Sequence, residues 1–347
     1  VFKSAAKLVR YEWRSHVKYK KRVQNINRLA QGGNGLRFSS LFTALKMWGV
    51  TGAREVSAYS SLRSDGDFRY IPSNFYKSGL SRYLNRSPVA DWLDDKANLS
   101  VAFPGVTPDM LSLPQQDERS ELDIDDAVKS ILLSQKNGVV IKDSAGQQGK
   151  EVIVLTRDEA DAVSLRSAIK SIKGGVVVQH RLSGHYELQR VNSDSLNTIR
   201  AITLSWRDRI YYLGAFARFG RKGVRVDNVH SGGLFANSTE GSKAERFFDG
   251  DFVEYDCHPD SGVRCDEIKS ALGNLGEDLP EFSVSLHERY PQVGLIGWDL
   301  VPENGGFSLL EANAKVPAAA SLQILNGPLI PEEIFEEIYW SCVSKRH

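Results

Sequence analysis

The chain has 347 residues, 41% hydrophobic and 25% charged, enough apolar material for two or more packed units. Its net charge of +1 excludes a global bias toward nucleic acid or acidic surfaces. Cys257, Cys265 and Cys342 are too few and irregular for a disulfide framework and lack C-x-x-C zinc spacing, no apolar run approaches the roughly 18–20 residues of a membrane span, and no signal peptide is visible, so a cytoplasmic protein is expected.

Residues 1–28 carry nine lysines or arginines against one acid, Glu12. Apolar residues at Leu8, Tyr11, Val17, Val23 and Ile26 predict a helix with one apolar face. Its basic side reads as solvated; the alternative is a patch for a phosphorylated carrier or an anionic membrane. Residues 1–90 read as helical and loop-rich. Gly32, Gly33 and Gly35 break the first helix, and Leu41–Trp48 resumes a helical pattern. Ser87-Pro88 is a helix start, with serine as N-cap and proline in the first turn. That helix is expected to run through Asp95 and Lys96 to about Leu99. Residues 103–108 read as a connector, and the acidic stretch 117–126 opens a helix near Ile124–Ser134.

The pattern changes at Gly138. Gly138–Asp143 reads as a short buried strand, 144–150 as a flexible loop and Glu151–Leu155 as a second strand. A helix from about Asp158 to Ile172 and a strand at Val176–Gln179 follow. Thr198–Trp206 and Ile210–Phe219 are predicted strands, joined by a turn at Arg207-Asp208. A helix near Asp266–Tyr290 and a final hairpin complete the order. There is no internal repeat or low-complexity region. The fold class read from this order is α+β, with helices packed on antiparallel sheets.

Two stretches carry chemistry. In Ser144-Ala-Gly-Gln-Gln-Gly-Lys150 the glycines let backbone N–H groups approach phosphate oxygens, and lysine supplies countercharge. The spacing is neither a P-loop nor a Rossmann fingerprint, and taken alone the loop reads as a plain hairpin connection, with phosphate binding as the alternative. Lys142 ends the strand just before this loop, and a lysine there needs an anionic partner. The second stretch is the hairpin Leu295–Val301 and Phe307–Asn313. A three-residue loop, 304–306, pairs Glu303 with Phe307 and sets Asp299 opposite Glu311, with Asn313 on the same face. A two-residue loop would put the two acids on opposite faces. Opposed, poorly solvated carboxylates need a shared proton or a cation. Aspartate, glutamate and asparagine oxygens suit Mg²⁺ completed by phosphates and water. A solvated hairpin face is the plain alternative.

In order, Asp95-Lys96, Val140-Ile-Lys142 with the glycine loop, Asn197-Thr-Ile-Arg200, Arg218-Phe-Gly220, Val226-Asp-Asn-Val-His-Ser-Gly-Gly233, Gly297-Trp-Asp299 and Leu310-Glu-Ala-Asn313 resemble the ATP-grasp superfamily. Within it they are most similar to the sugar-transfer-associated ATP-grasp proteins. The resemblance covers roughly residues 85–325. It implies an ATP-grasp fold in which two α+β lobes with antiparallel sheets clasp a nucleotide. The expected division is a helical N-terminal region (1–85), an N-lobe with the glycine lid loop (86–180) and a C-lobe with the metal-binding hairpin (181–347).

The resemblance also implies roles. Lys96 and Lys142 reach the nucleotide phosphates, and the loop with Ser144, Gly146, Gly149 and Lys150 covers them. Residues 178–182 form the adenine hinge through backbone groups, Gln179 and Leu182, with Gln179 or His180 standing where the family has an acid. His185 or Glu187 lies near the ribose. Asp299, Glu311 and Asn313 hold Mg²⁺. Arg200 and Arg218 face the phosphates or an acyl-phosphate, and Lys315 lies at the substrate mouth. Asp227, Asn228 and His230 line the acceptor site. Plain readings stand beside these: an exposed helix lysine for Lys96, a structural ion pair for Arg200, an ordinary polar residue for His185, a loop bridge for His230.

The implied activity is an ATP- and Mg²⁺-dependent carboxylate–amine ligase working through an acyl-phosphate, in polysaccharide or cell-envelope biosynthesis. The expected partners are a small-molecule carboxylate and amine, sugar-linked ones included, with no nucleic acid and no membrane span. A kinase on the same fold and a non-catalytic nucleotide-binding module are the alternatives.

Overall fold

The structure is a computed structural model that describes residues 22–30, 36–146, 152–237, 246–303, 305–315 and 319–344. Most of the basic N-terminal stretch lies outside these residues. Residues 22–29 are helical, as the apolar spacing predicts. Ile26 is buried, and Arg22 Nε and Asn25 Nδ2 donate to the carbonyls of Gly250 and Asp251 at 2.6 and 2.8 Å. The helix expected at Leu41–Trp48 extends over Phe38–Arg63, broken at Gly49, which takes φ 68°. Beyond the break, Ala53, Val56 and Tyr59 are buried.

Ser87 caps the helix Pro88–Asp94 by accepting from the Val89 N–H. The expected continuation to Leu99 does not form as one helix. Asp95 is extended (ψ 114°), and its carboxylate accepts from the Ala97 N–H, starting a separate turn over Lys96–Asn98. A short acidic side chain that bonds its own backbone competes with the helical ladder. The interruption re-aims Lys96.

Four strands form the smaller sheet: β1 (Met110–Leu113), β2 (Gly138–Asp143), β3 (Val152–Thr156) and β4 (Val176–His180). Their order is β1-β4-β2-β3, all antiparallel. β1 lies just beyond the expected connector 103–108, where the sequence predicts no element; it is a short edge strand, too brief for a period-2 signal. The helices Glu121–Ser134 and Ala162–Ser171 cover one face of the sheet. Ser120 and Asp123 form a reciprocal capping box at the first helix, and Asp161 caps the second. Val139, Ile141, Val176 and Val178 point into this core with Ile124, Ile131, Leu165 and Ile169. Burying such side chains contributes about 1.5–3 kcal/mol each. Strand alternation then turns Val140, Lys142 and Gln179 to the other face.

The larger sheet has seven antiparallel strands: β5 (Thr198–Trp206), β6 (Arg209–Phe219), β7 (Leu234–Asn237), β8 (Phe247–Phe248), β9 (Glu254–Tyr255), β10 (Leu295–Glu303) and β11 (Gly306–Asn313). Their order is β11-β10-β5-β6-β7-β8-β9. Ile199, Ala201, Ala217, Ile296, Trp298 and Leu300 pack one face against Leu279 and Leu286 of the helix Cys265–Glu288. On the opposite face, Ile202, Leu204, Phe216 and Leu295 join a second core. That core includes two helices beyond the hairpin, Ala319–Asn326 and Glu332–Ser344, so the hairpin is not the last element. Ile334, Phe335, Ile338 and Tyr339 give the second of them a helical apolar stripe. The same face of the large sheet changes character along its length: apolar where the helices cover it, ionic toward Thr198, Arg200 and Arg218.

Candidate active site

The free face of the small sheet and the ionic end of the large one enclose a cleft of about 950 Å³, its open mouth included. Val140, Lys142, Val152, Val154 and Gln179 supply one wall; Thr198, Arg218, Asp299, Leu310 and Glu311 supply the other. Lys96, Gly146, His180 and Leu182 close its edges, together with residues 225–228.

The hairpin register decides which groups face the cleft. Glu303 pairs with Gly306, so of the two loop lengths the sequence allows the connection takes the shorter, residues 304 and 305. A regular ladder from that turn would separate the two acids. Instead the register shifts between Asp299 and Leu300: Leu300 pairs with Leu309 and Asp299 with Glu311. Leu310 is the extra residue of a β-bulge, and it lines the cleft. The bulge restores the two acids to a common face.

Asp299 is the centre of a buried ionic cluster. Arg200, its cross-strand neighbour on β5, bonds both carboxylate oxygens, Nη2 reaching Oδ2 at 2.8 Å. Arg218 Nη2 lies 3.0 Å from the same Oδ2. Burial alone would raise the Asp299 pKa, but the two guanidiniums hold it below the usual carboxylate range. Arg218 donates to Thr198 Oγ1 from Nε at 3.0 Å and Nη2 at 2.7 Å, and the Thr198 hydroxyl donates to Asp227. Burial pushes the Asp227 carboxyl up, and Arg218 opposes this only in part.

Across the cleft, Lys96 Nζ lies 3.2 Å from Glu311 Oε1 and donates to the Gly146 carbonyl at 2.6 Å. Lys142 is buried, and no carboxylate among the described residues lies within ion-pair distance of it. Burial pushes its pKa down to about 8; Glu311 pulls it up, Lys96 adds to the depression, and Asp299 pulls it up weakly. A buried ammonium in this state gains from an incoming anion.

The other expected residues are placed as follows. Gln179 and Leu182 line the cleft, and Gln179 Nε2 is buried without a partner among the described residues. Asp227 and Asn228 line it from their loop. Gly146 lines it, whereas the buried Ser144 accepts from the Lys96 N–H through its carbonyl. Gly149 and Lys150 lie outside the described residues. His230 falls in the short turn Val229–Ser231. His185 and Glu187 do not reach the cleft: His185 is buried against the Tyr186 ring, and Glu187 pairs with Arg190 at 2.7 Å. Lys315 is likewise absent from the lining, with its ammonium 3.3 Å from Asp91 and 3.8 Å from Asp94. Asn313 shares the Glu311 face, but its amide donates to Gly297 O at 3.4 Å and does not line the cleft.

Lining residues to which the sequence assigned no role include Val140, Val152 and Val154, whose alternation with Val139 and Ile153 carried the signal, and Thr198, two residues before Arg200. Arg225 gave none: it bridges from the large-sheet loop to Glu159 at 2.7 Å and to the Val154 carbonyl at 2.6 Å.

For Mg²⁺, the donor chemistry fits at Asp299 and Glu311, hard oxygen donors on one face of adjacent strands. No group of three His, Cys, Asp or Glu able to hold a metal forms among the described residues. A cation here would therefore take its remaining ligands from phosphate and water.

A cleft between two antiparallel sheets, with lysines on one side and a carboxylate pair on the other, defines the class as ATP-grasp. Residues 77–336 match the sugar-transfer associated ATP-grasp family, and the chain belongs to it. No curated protein matches the sequence. Among solved structures, the chain resembles the VanG D-Ala:D-Ser ligase of Enterococcus faecalis at 12% identity and a TM-score of 0.43, over 83% of this chain and 68% of that one. It resembles D-alanyl-alanine synthetase A of Vibrio cholerae at 14% identity and 0.45, over 75% and 67%. The biotin carboxylase domain of Hydrogenobacter thermophilus 2-oxoglutarate carboxylase gives 12% and 0.44, with 74% of this chain spanning 46% of that one. Likenesses this distant speak to neither substrate nor reaction.

Proposed function

We propose that the chain is an ATP- and Mg²⁺-dependent ligase that joins a carboxylate to an amine, with residues 86–180 and 181–347 as its two lobes. The observation that carries this reading is the buried Lys142, without an ion-pair partner among the described residues, in the same cleft as the Asp299–Glu311 pair. The first calls for an anion and the second for a cation; a metal-bound nucleoside triphosphate supplies both.

Lys142 and Lys96 bind the phosphates, and backbone groups at Gly146 extend that cradle. The hinge around Gln179 and Leu182 takes the base. Asp299 and Glu311 would hold Mg²⁺, which neutralises phosphate charge when bound. Arg218 stabilises the charge that develops on the transferring phosphoryl group, and Arg200 orients Asp299. A carboxylate oxygen of the substrate attacks the γ-phosphorus and ADP leaves, forming an acyl-phosphate. The amine attacks its carbonyl carbon, the amide forms and phosphate leaves. Asp227, with its raised pKa, is suited to take the amine's proton. Among the described residues that line the cleft there is no serine or cysteine, and the Thr198 hydroxyl is engaged by Arg218 and Asp227. This disfavours an acyl-enzyme intermediate on a serine, cysteine or threonine side chain.

The association with sugar transfer in the family's description supports substrates from surface-polysaccharide assembly. We place the reaction in the cytoplasm, where ATP is supplied. The test is a screen of carboxylic acids and amines for ADP release, with mass spectrometry of the product. Amine-dependent ADP release with an amide product supports the ligase. A stable phosphorylated alcohol would make it a kinase, and nucleotide binding without turnover a binding module.

A further inference from the structure

Of the helix Phe38–Arg63, residues 38–48 form a separate arm ahead of the break at Gly49. The inner face of this arm buries Ala44 and packs Met47 and Trp48 on the core. Its outer face is apolar as well. Phe38, Phe42 and Leu45, spaced i, i+4 and i+7, are 88%, 67% and 40% exposed, and Val50 beyond the break is 63% exposed. Single exposed apolar residues are ordinary, but a contiguous stripe headed by two phenylalanines marks an interaction surface.

Charge along this part of the sequence has one sign. Arg37 and Lys46 are exposed at its borders. No aspartate or glutamate occurs from residue 13 to residue 54, and the first 54 residues carry twelve lysines or arginines against Glu12 alone. The remainder of the nearly neutral chain is correspondingly acidic, so the positive charge is concentrated in this stretch of the sequence. Part of this run is fastened to the folded body: Ile26 shares a core with Ala44, and Arg22 and Asn25 are bonded to Gly250 and Asp251.

We propose that this face docks on an anionic phospholipid bilayer. Phe38, Phe42 and Leu45 enter the interface between headgroups and acyl chains, while Arg37 and Lys46 extend to the headgroup phosphates. No helix among the described residues is long and apolar enough to cross a membrane, so this contact is peripheral and reversible. Charge decides between occupants. A second copy would bring the same cations against themselves, whereas an anionic surface turns every one of them into an attraction. The proposal does not depend on the ligase reaction.

The test is co-sedimentation of the full chain with vesicles of phosphatidylcholine alone or mixed with phosphatidylglycerol, together with light scattering of the free protein. The chain is expected to bind the anionic vesicles at least about tenfold more tightly than the neutral ones, and less as salt rises. The double substitution Phe38→Ser and Phe42→Ser should weaken binding by about tenfold or more, and Lys46→Ala by about fivefold. The substituted side chains are exposed, so melting should not change; if the double variant melts early, Leu45→Ser replaces it. No binding to anionic vesicles at low salt would overturn the proposal. So would undiminished binding by the phenylalanine variant, or a dimer that the same variant converts to monomer.

Discussion

Lys142 and Glu311 look alike in the sequence, each a charged residue near the end of an apolar strand, but their surroundings set them different tasks. With its pKa near 8, Lys142 is largely charged below that pH and neutral above it. A lysine whose folded pKa lies below its unfolded value contributes stability above the unfolded pKa and loses it as pH falls through the folded one. Burial of Lys142 therefore costs stability below about pH 8, where phosphate binding recovers it. ATP affinity is expected to fall as pH rises through about 8, and Lys142→Arg should remove that inflection; titration by calorimetry checks both. Lys142→Ala should weaken ATP binding by about tenfold to a hundredfold at pH 7. Glu311→Gln should lower ADP release by about 10²–10³-fold with little change in melting, because its side chain is partly exposed. Asp299→Asn is different. It leaves Arg200 and Arg218 buried against a neutral amide, and chemical denaturation should register a loss of about 3–5 kcal/mol.

At the scale of elements, the hairpin shows how much one residue of register matters. Counting from the turn alone gives either opposed or separated acids, and the bulge at Leu310 settles the matter. Asn85 holds the other end of the hairpin. Its side-chain amide exchanges two hydrogen bonds with Leu295, at 2.6 and 2.7 Å, and donates to the Ala314 carbonyl, much as another strand would. Asn85→Ala should cost about 2–3 kcal/mol by denaturant titration, since the strand groups lose partners in a partly buried place. A smaller drop would mean that water replaces the amide.

At the scale of the molecule, the cleft exists because two sheets from distant parts of the chain meet. Arg225 ties them across the mouth through Glu159 and the Val154 carbonyl. The pair is exposed, so its loss should change global stability little. Arg225→Ala should instead raise the KM for ATP several-fold while leaving melting nearly constant, because residues 225–228 help to line the cleft. Steady-state kinetics beside a thermal melt distinguishes this from a structural role.

What the sequence by itself determined was local. β2, β4, β5 and the capped helices were legible because apolar period and capping chemistry are written in neighbouring residues. So were Lys142, Asp299 and Glu311 as charged groups beside apolar runs, whereas Lys96, Arg200 and Arg218 were singled out by the family resemblance. The edge strand β1 was too short to show a period, and the break at Asp95 came from a side chain competing with its own backbone. Tertiary structure alone decided which charges meet. It paired Asp299 with two arginines, left Lys142 without a carboxylate among the described residues, and turned Lys315 and Glu187 to other partners. These outcomes depend on strand register, a bulge and the docking of one sheet on another, and contacts of that range have no signature in adjacent residues. The hairpin supplied the acids; the fold set their face and their neighbours.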